Sequence, residues 1–482
     1  MYTKERQDHR GQNGNHCQQP RSDDSARPGI PFAQQSVYYR QHLRLPGRDR
    51  VNNRHILARQ DVPVASAAGA GRRWYPVTLV TVAIAISYFD RQTLPVAIAA
   101  IQRSIPISEQ QFSYLQTAFL LSYAALYAGG GRMLDLIGTR RGFTIIMLWW
   151  SVACGLHGLA SGFGLLLASR FLLGMGEGGA FPAAVRVVAE WIPAEKRSTA
   201  VGIINAGTAV GSVAAPPLIG LILLRSGWRA VFVVAAATGA LWVLWWVLTY
   251  RSNDAELSAK TIDLRLIARR MTLREMLGIR NVQALVFAKF MSDSAWYFLL
   301  FWLPKYLYDA RHFDIKHVSY FAWIPYAASG LGSLIGGIFS THLLQGGYSL
   351  DRSRKLALGT SAAFMPVVIL IPAVPVNVSL LLFSIAFFCQ QSWSGLIMTI
   401  PADIFPLSAV GSISGLVGFA GAIGGAAFGL IAGYLLQNGF GYGTLFTLVG
   451  SFHLIGFAAI VLFGGKIQPL GGTEMEQIEA RP

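Results

Sequence analysis

Four ionisable residues lie inside apolar stretches of the sequence. Asp90 and Arg91 are adjacent in one stretch, and Arg170 and Glu177 lie together in another. An ionisable residue at the centre of a membrane helix costs about 2.5–3.5 kcal/mol on insertion scales, so four facing lipid would cost about 10–14 kcal/mol. We therefore expect all four side chains to face protein or water.

The spacing of these residues suits a site that binds an organic anion together with a proton. Arg170 and Glu177 are seven residues apart, which places them on one helix face about 10 Å apart along the axis. An incoming anion would compete with the acids for the arginines, so anion and proton binding would favour each other. The alternative is an interhelical salt-bridge cluster without a transport role, although buried ion pairs often add little stability.

The composition indicates an integral membrane protein. Of the 482 residues, 53% are hydrophobic and 13% are charged, whereas soluble domains carry about 25% charged residues. The net charge of +16 does not favour a nucleic-acid partner, because the basic residues lie between apolar runs and form no continuous stripe. Cys17, Cys154 and Cys389 are far apart and match no disulfide framework or metal-ligand spacing. We expect no metal and no cofactor.

Apolar windows long enough to cross a bilayer occur twelve times, and we number them spans one to twelve. They are 75–99, 112–131, 143–162, 165–189, 199–223, 229–249, 282–307, 318–344, 355–373, 377–399, 410–436 and 441–464. One long internal polar segment separates the sixth from the seventh. The predicted organisation is a disordered basic cytoplasmic tail (1–73), a six-helix bundle (74–250), a central cytoplasmic loop (251–281), a second six-helix bundle (282–464) and a cytoplasmic C-terminal tail (465–482).

A short repeated pattern supports this division. Gly202 and Gly211 in span five are matched by Gly415 and Gly424 in span eleven, at a constant offset of 213 residues. Duplicated six-helix halves are a known transporter plan, in which the substrate binds between the halves near the bilayer midplane. The pattern therefore predicts two related halves.

Basic residues are concentrated in the loops on the side of the N-terminus. Those loops carry Arg132, Arg140, Arg141, Lys196, Arg197, Arg352, Arg354 and Lys355, besides the basic central loop. The opposite loops carry chiefly Arg103, Arg225, Arg229, Arg311 and Lys316. The positive-inside rule predicts that both termini lie in the cytoplasm. We expect a multi-pass protein of the inner (plasma) membrane.

The loop Gly131–Arg141 between spans two and three is similar to the signature loop of the major facilitator superfamily. The chain further resembles the superfamily's anion:cation symporters, which carry sugar acids and other organic anions, in the segments Tyr88–Leu94, Arg170–Ala183, Glu190–Arg197 and Phe301–Tyr306. The resemblance covers residues 75–464. It implies an all-α integral membrane fold of twelve transmembrane helices in two pseudo-repeated six-helix bundles, with Asp135, Arg140 and Arg141 acting in gating.

The resemblance also implies roles for residues in the first half. Asp90 and Glu177 fall where the symporters keep proton-coupling carboxylates. Arg91, Tyr123 and Arg170 fall where they keep contacts to the substrate carboxylate.

Candidates in the second half lie in spans seven and ten. One stretch of span ten, with Gln390, Gln391 and Trp393, resembles a substrate-binding stretch of hexuronate carriers. Core packing is the alternative interpretation. Leu396 stands where that pattern has an asparagine. In span seven, an i,i+4 ion pair is expected to join Lys289 and Asp293.

We expect a proton-coupled symporter that imports a small organic anion by alternating access, with a sugar acid such as a hexuronate favoured. An aldonate, aldarate or aromatic acid is the alternative substrate. A transporter-like sensor is disfavoured because the tail and central loop are too short and polar for an output domain, and an enzyme because no nucleophile–base pair or metal cluster appears. The expected partners are the anion, protons and the lipid bilayer. The sequence leaves the oligomeric state open, and a monomer is compatible with it.

Overall fold

The computed structural model describes residues 70–193, 196–251, 272–405 and 407–469. The predictions for most of the N-terminal tail, the central loop and the C-terminal tail lie outside the described residues. Within the described ranges, all regular secondary structure is helical.

The described helices coincide with the twelve predicted spans. Spans one to three are Ala70–Gln102, Glu109–Ile137 and Thr139–Gly158; span four is Phe163–Gly178 with Ala180–Trp191; spans five and six are Arg197–Thr249. A short helix, Leu273–Leu277, precedes span seven, Arg280–Asp309; span eight is Ile315–Phe321 with Trp323–Gln345; span nine is Leu350–Phe364 with the 3-10 helix Met365–Ala373. Spans ten to twelve are Val376–Ile404, Leu407–Gln437 and Gly441–Leu462.

Local sequence explains where several helices begin and end. Gly227 breaks the long helix between spans five and six with φ 77°, and Gly138 separates spans two and three with φ 79°; glycine adopts positive φ at little steric cost. Span two begins with a capping box. The backbone N–H of Gln111 donates to Ser108 Oγ, and the backbone N–H of Ser108 donates to Gln111 Oε1.

The helices have the length and composition of a membrane protein. Eight of those described are long and apolar enough to cross a bilayer, and one of the eight covers both spans five and six. Spans one to three are more polar helices of 33, 29 and 20 residues. Large apolar side chains such as Leu241, Leu248 and Leu462 are exposed on the outside of the molecule, as lipid contact requires.

Equivalent glycines in the two halves make equivalent packing contacts. A Cβ atom at Gly211 of span five would overlap the carbonyl oxygen of Ala85 in span one. A Cβ atom at Gly424 of span eleven would overlap the carbonyl oxygen of Phe290 in span seven. Small residues let helix backbones approach closely. The packing of five on one and of eleven on seven therefore agrees with the duplication predicted from the 213-residue offset.

Candidate substrate and proton site

Arg91 of span one and Glu177 of span four form a buried ion pair. Arg91 Nε lies 2.7 Å from Glu177 Oε2, and the side chains are 3% and 0% exposed. Ser87 Oγ donates to the same carboxylate oxygen at 2.7 Å. Ser87 and Arg91 are one turn apart, so one face of span one presents both donors. The other oxygen, Oε1, has no hydrogen-bond partner among the described residues.

Aromatic rings surround the Arg91 guanidinium. Its Cζ lies 4.5 Å from the ring centroid of Tyr88, 4.6 Å from that of Tyr123 and 5.6 Å from that of Phe119. Cation–π attraction from these faces holds the cation in place without neutralising it. Tyr123 thus lies beside Arg91, and its contact with the substrate stays a prediction.

Arg170 is fully buried, and only one of its three guanidinium nitrogens has hydrogen-bond partners among the described residues. Its Nη2 donates to Gln116 Oε1 at 3.0 Å and to the Arg91 carbonyl oxygen at 3.3 Å. Its Nε and Nη1 have no hydrogen-bond partner among the described residues. An unpaired charged donor is costly to bury, so we expect an anion or water against these two nitrogens. Arg170 and Glu177 are both buried, as the cost of exposing them to lipid predicted, and the ion-pair partner of Glu177 is Arg91.

Asp90 is adjacent to Arg91 in sequence but contacts a different helix. Its Oδ2 accepts from Trp150 Nε1 of span three at 3.0 Å, and its Oδ1 has no partner among the described residues. The two acids therefore differ in environment, because Glu177 is paired with a guanidinium and Asp90 with a neutral indole.

Sequence reasoning missed three residues that hold this cluster. Ser87 could have been found from its i,i+4 spacing to Arg91. Gln116 and Trp150 carry no comparable signal, because each lies in another helix and joins the cluster only through tertiary packing.

The candidates in span ten divide into two groups. Gln390 and Trp393 are fully buried, and the Trp393 ring lies 5.3 Å from that of His453 in span twelve. The side-chain polar atoms of all three have no hydrogen-bond partner among the described residues. Gln391 is half-buried on another face of the helix. No described contact joins this group to the arginines, so its substrate role stays a prediction.

The signature loop ties span three to span six. Arg140 Nη2 donates to the Val247 carbonyl oxygen at 2.6 Å, and Trp246 Nε1 donates to the Arg140 carbonyl oxygen at 3.2 Å. Arg141 is exposed, and the side chain of Asp135 lies outside the described residues. The gating role of the three residues stays a prediction.

The two halves contact each other closely at the end of the molecule where span two begins. Lys305 of span seven, 1% exposed, lies 2.7 Å from Glu109 of span two. Thr117 Oγ1 of span two donates to the Ala426 carbonyl oxygen of span eleven at 3.3 Å. A Cβ atom at Gly433 of span eleven would overlap the Ser113 side chain of span two. We call this contact region, between residues 109–117, 302–309 and 426–433, the seam.

The same helix faces carry two further glycines toward the other end of the molecule. Gly433 and Gly415 of span eleven are 18 residues, or five turns, apart and so share a face. In span five, Gly220 packs closely on Ser319 of span eight, and Gly202 shares its face five turns away. A Cβ atom at Gly415 or Gly202 would meet no described atom within 4 Å. Among the described residues, the halves therefore contact each other at the seam, whereas these two glycines on the same helix faces have open space beside them.

Comparisons with known proteins identify relatives over most of the chain. The model of the Major Facilitator Superfamily matches residues 80–429. A hexuronate transporter of Escherichia coli is 29% identical over 406 residues, which cover 81% of this chain and 93% of the relative. A D-galactonate transporter of another Escherichia coli strain is 27% identical over 441 residues, which cover 85% of this chain and 100% of the relative.

A solved structure shares the fold. The crystal structure of a D-xylose-proton symporter superposes with a TM-score of 0.65 at 14% identity, over 81% of this chain and 98% of that one. At this identity the similarity shows the fold alone. The fold is the twelve-helix arrangement that the sequence predicted.

Proposed function

The chain belongs to the Major Facilitator Superfamily of membrane transporters, and we propose that it is a proton-coupled symporter that imports a sugar acid, with a hexuronate as the favoured substrate. The observation that carries the proposal is the buried cluster of two arginines and two acids between spans one and four. The hexuronate and D-galactonate transporters among its relatives support a sugar acid as the substrate class. Family membership makes the chain a transporter and not an enzyme.

Arg170 is the principal contact for the substrate carboxylate. Its Nε and Nη1, which have no hydrogen-bond partner among the described residues, offer charge-assisted hydrogen bonds in a buried site. Arg91 is the second contact for the substrate carboxylate. Its guanidinium also forms an ion pair with Glu177, and aromatic rings hold it in place. Tyr123 keeps that guanidinium in position.

Charge balance couples the anion to a proton. With Asp90, Arg91, Arg170 and Glu177 ionised, the cluster is neutral, and a bound carboxylate makes its net charge negative. One proton on an acid restores neutrality, which favours passage through an occluded, low-dielectric state. Glu177 is the first candidate for that proton, because the substrate competes with it for Arg91.

The arrangement of the halves supports alternating access. In this proposal the seam is the closed end, and the opposite end, where Gly202 and Gly415 meet no described atom, is the open end. The positive-inside rule assigns the open end to the cytoplasm. The structure then corresponds to the inward-open state of an inner-membrane transporter, from which the substrate is released into the cell.

Transport by reconstituted protein tests this function. Proteoliposomes loaded with galacturonate should take up labelled galacturonate by counterflow, and an acidic exterior should drive net accumulation that a protonophore abolishes. Arg170→Met should abolish both activities, whereas Arg352→Gln, which removes an exposed basic residue, should leave both unchanged. Binding without counterflow would indicate a sensor, and selective transport of an aromatic acid would replace the proposed substrate.

A further inference from the structure

The seam contains a charged cluster that the transport site does not use. Lys305 lies between two acids, 2.7 Å from Glu109 and 2.5 Å from Asp309. Glu109 belongs to the first half of the chain, whereas Lys305 and Asp309 belong to span seven of the second. Tyr442 of span twelve donates to Asp309 at 3.1 Å. Lys305 is 1% exposed, and Glu109 and Asp309 keep 27% and 35% exposure.

The two ion pairs of Lys305 differ in what they hold together. The pair with Asp309 is an i,i+4 contact within one helix, so it survives any movement of the halves. The pair with Glu109 crosses the seam and must break when the seam opens. The aromatic contact of Phe112 with Trp302, 4.9 Å between centroids, lies beside it and crosses the seam as well.

Glu109 is placed to exchange protons with the solvent beyond the seam. Its side chain is 27% exposed, and its Oε2 is buried without a hydrogen-bond partner among the described residues. The three ionised groups sum to one negative charge, so one proton neutralises the cluster. A proton on Glu109 removes the ion pair between the halves, while Lys305 remains paired with Asp309.

We propose that Glu109 is a proton-binding site of the outer seam, separate from the buried transport site, and that its protonation releases Lys305 and lets the seam open. Protons outside the cell thereby favour the state that receives substrate from outside. The inference depends on the proposed function only for alternating access and for the orientation of the seam toward the exterior.

Spin labels at Arg103 and Lys316 read the opening of the seam directly. Both residues are exposed at the seam end, one in each half. In wild-type protein, the distance distribution from double electron–electron resonance should gain a longer component between pH 7.5 and pH 5. Glu109→Gln should show that component at both pH values, with about a tenfold higher ratio of open to closed protein at pH 7.5, the size expected for a lost charge-assisted contact.

Two further variants should differ from each other in how the seam responds to pH. Asp309→Asn leaves Glu109 as the ionised partner of Lys305, so the seam should stay closed at both pH values. Asp351→Asn removes an i,i+4 pair with Lys355, 2.8 Å long and remote from the seam, and should behave as wild type. A wild-type distribution that does not change with pH, or a Glu109→Gln distribution equal to wild type at pH 7.5, would overturn the proposal.

The test separates this inference from the proposed function. Proton-driven sugar-acid uptake with a pH-insensitive seam would refute the seam site and leave the function intact. A pH-sensitive seam in a protein that transports no sugar acid would refute the function and leave the seam site intact.

Discussion

Replacing Glu177 with glutamine tests the coupling mechanism, because it removes the competitor of the substrate and keeps the shape of the side chain. In the structure one carboxylate oxygen accepts from both Arg91 Nε and Ser87 Oγ at 2.7 Å. An amide oxygen can still accept these bonds, but a charge-assisted contact becomes a neutral one. Charge-assisted bonds contribute about 1.5–3 kcal/mol and neutral ones about 0.5–1.5 kcal/mol.

The contacts of residue 177 are therefore weaker by about 1–2 kcal/mol in the variant, and the substrate carboxylate has that much less to overcome when it binds Arg91. Glu177→Gln should therefore bind galacturonate about 5–30-fold more tightly than wild type at alkaline pH, where Glu177 is ionised in the wild type. As the pH falls, wild-type Glu177 takes up a proton and the difference should disappear. Wild-type affinity should thus decrease as pH rises, whereas the affinity of the variant should be nearly independent of pH.

Calorimetry at pH 6 and pH 8 measures both affinities, and proteoliposomes measure transport. The variant should exchange internal for external substrate but fail to accumulate it under a pH difference, because residue 177 can no longer bind and release a proton. Accumulation equal to wild type would transfer the proton-carrying role to Asp90. Weaker binding at pH 8 would contradict the competition between substrate and Glu177.

Three further outcomes are expected. Arg170→Lys keeps the charge but loses the planar guanidinium, so it should weaken galacturonate binding by about 1–3 kcal/mol in calorimetry; unchanged affinity would remove Arg170 from the site. A chain that begins at Ala70 should insert and transport normally, because residues 1–69 carry no apolar pattern for docking; loss of uptake at normal membrane levels would contradict this. Gly211→Val should lower the thermal stability of the purified protein because its side chain would overlap span one, whereas Gly202→Val should not; equal melting temperatures would refute the packing argument.

The sequence determined the number of spans and the burial of the charged residues. The length and polarity of an apolar run decide whether it crosses a bilayer, and this property is local, so all twelve windows coincide with helices. The insertion cost of a charge is local too. It required Asp90, Arg91, Arg170 and Glu177 to be buried within protein, and all four are at most 2% exposed.

Tertiary structure alone decided which charged groups meet. Helical spacing placed Arg170 and Glu177 on one face, but the rotation of span one against span four pairs Glu177 with Arg91. The same relation between neighbouring helices directs Asp90 to Trp150, and it joins Glu109 to a lysine almost two hundred residues away. Each residue turns a helix by about 100°, so a small change in helix rotation exchanges partners, and only the packing of all the helices fixes that rotation.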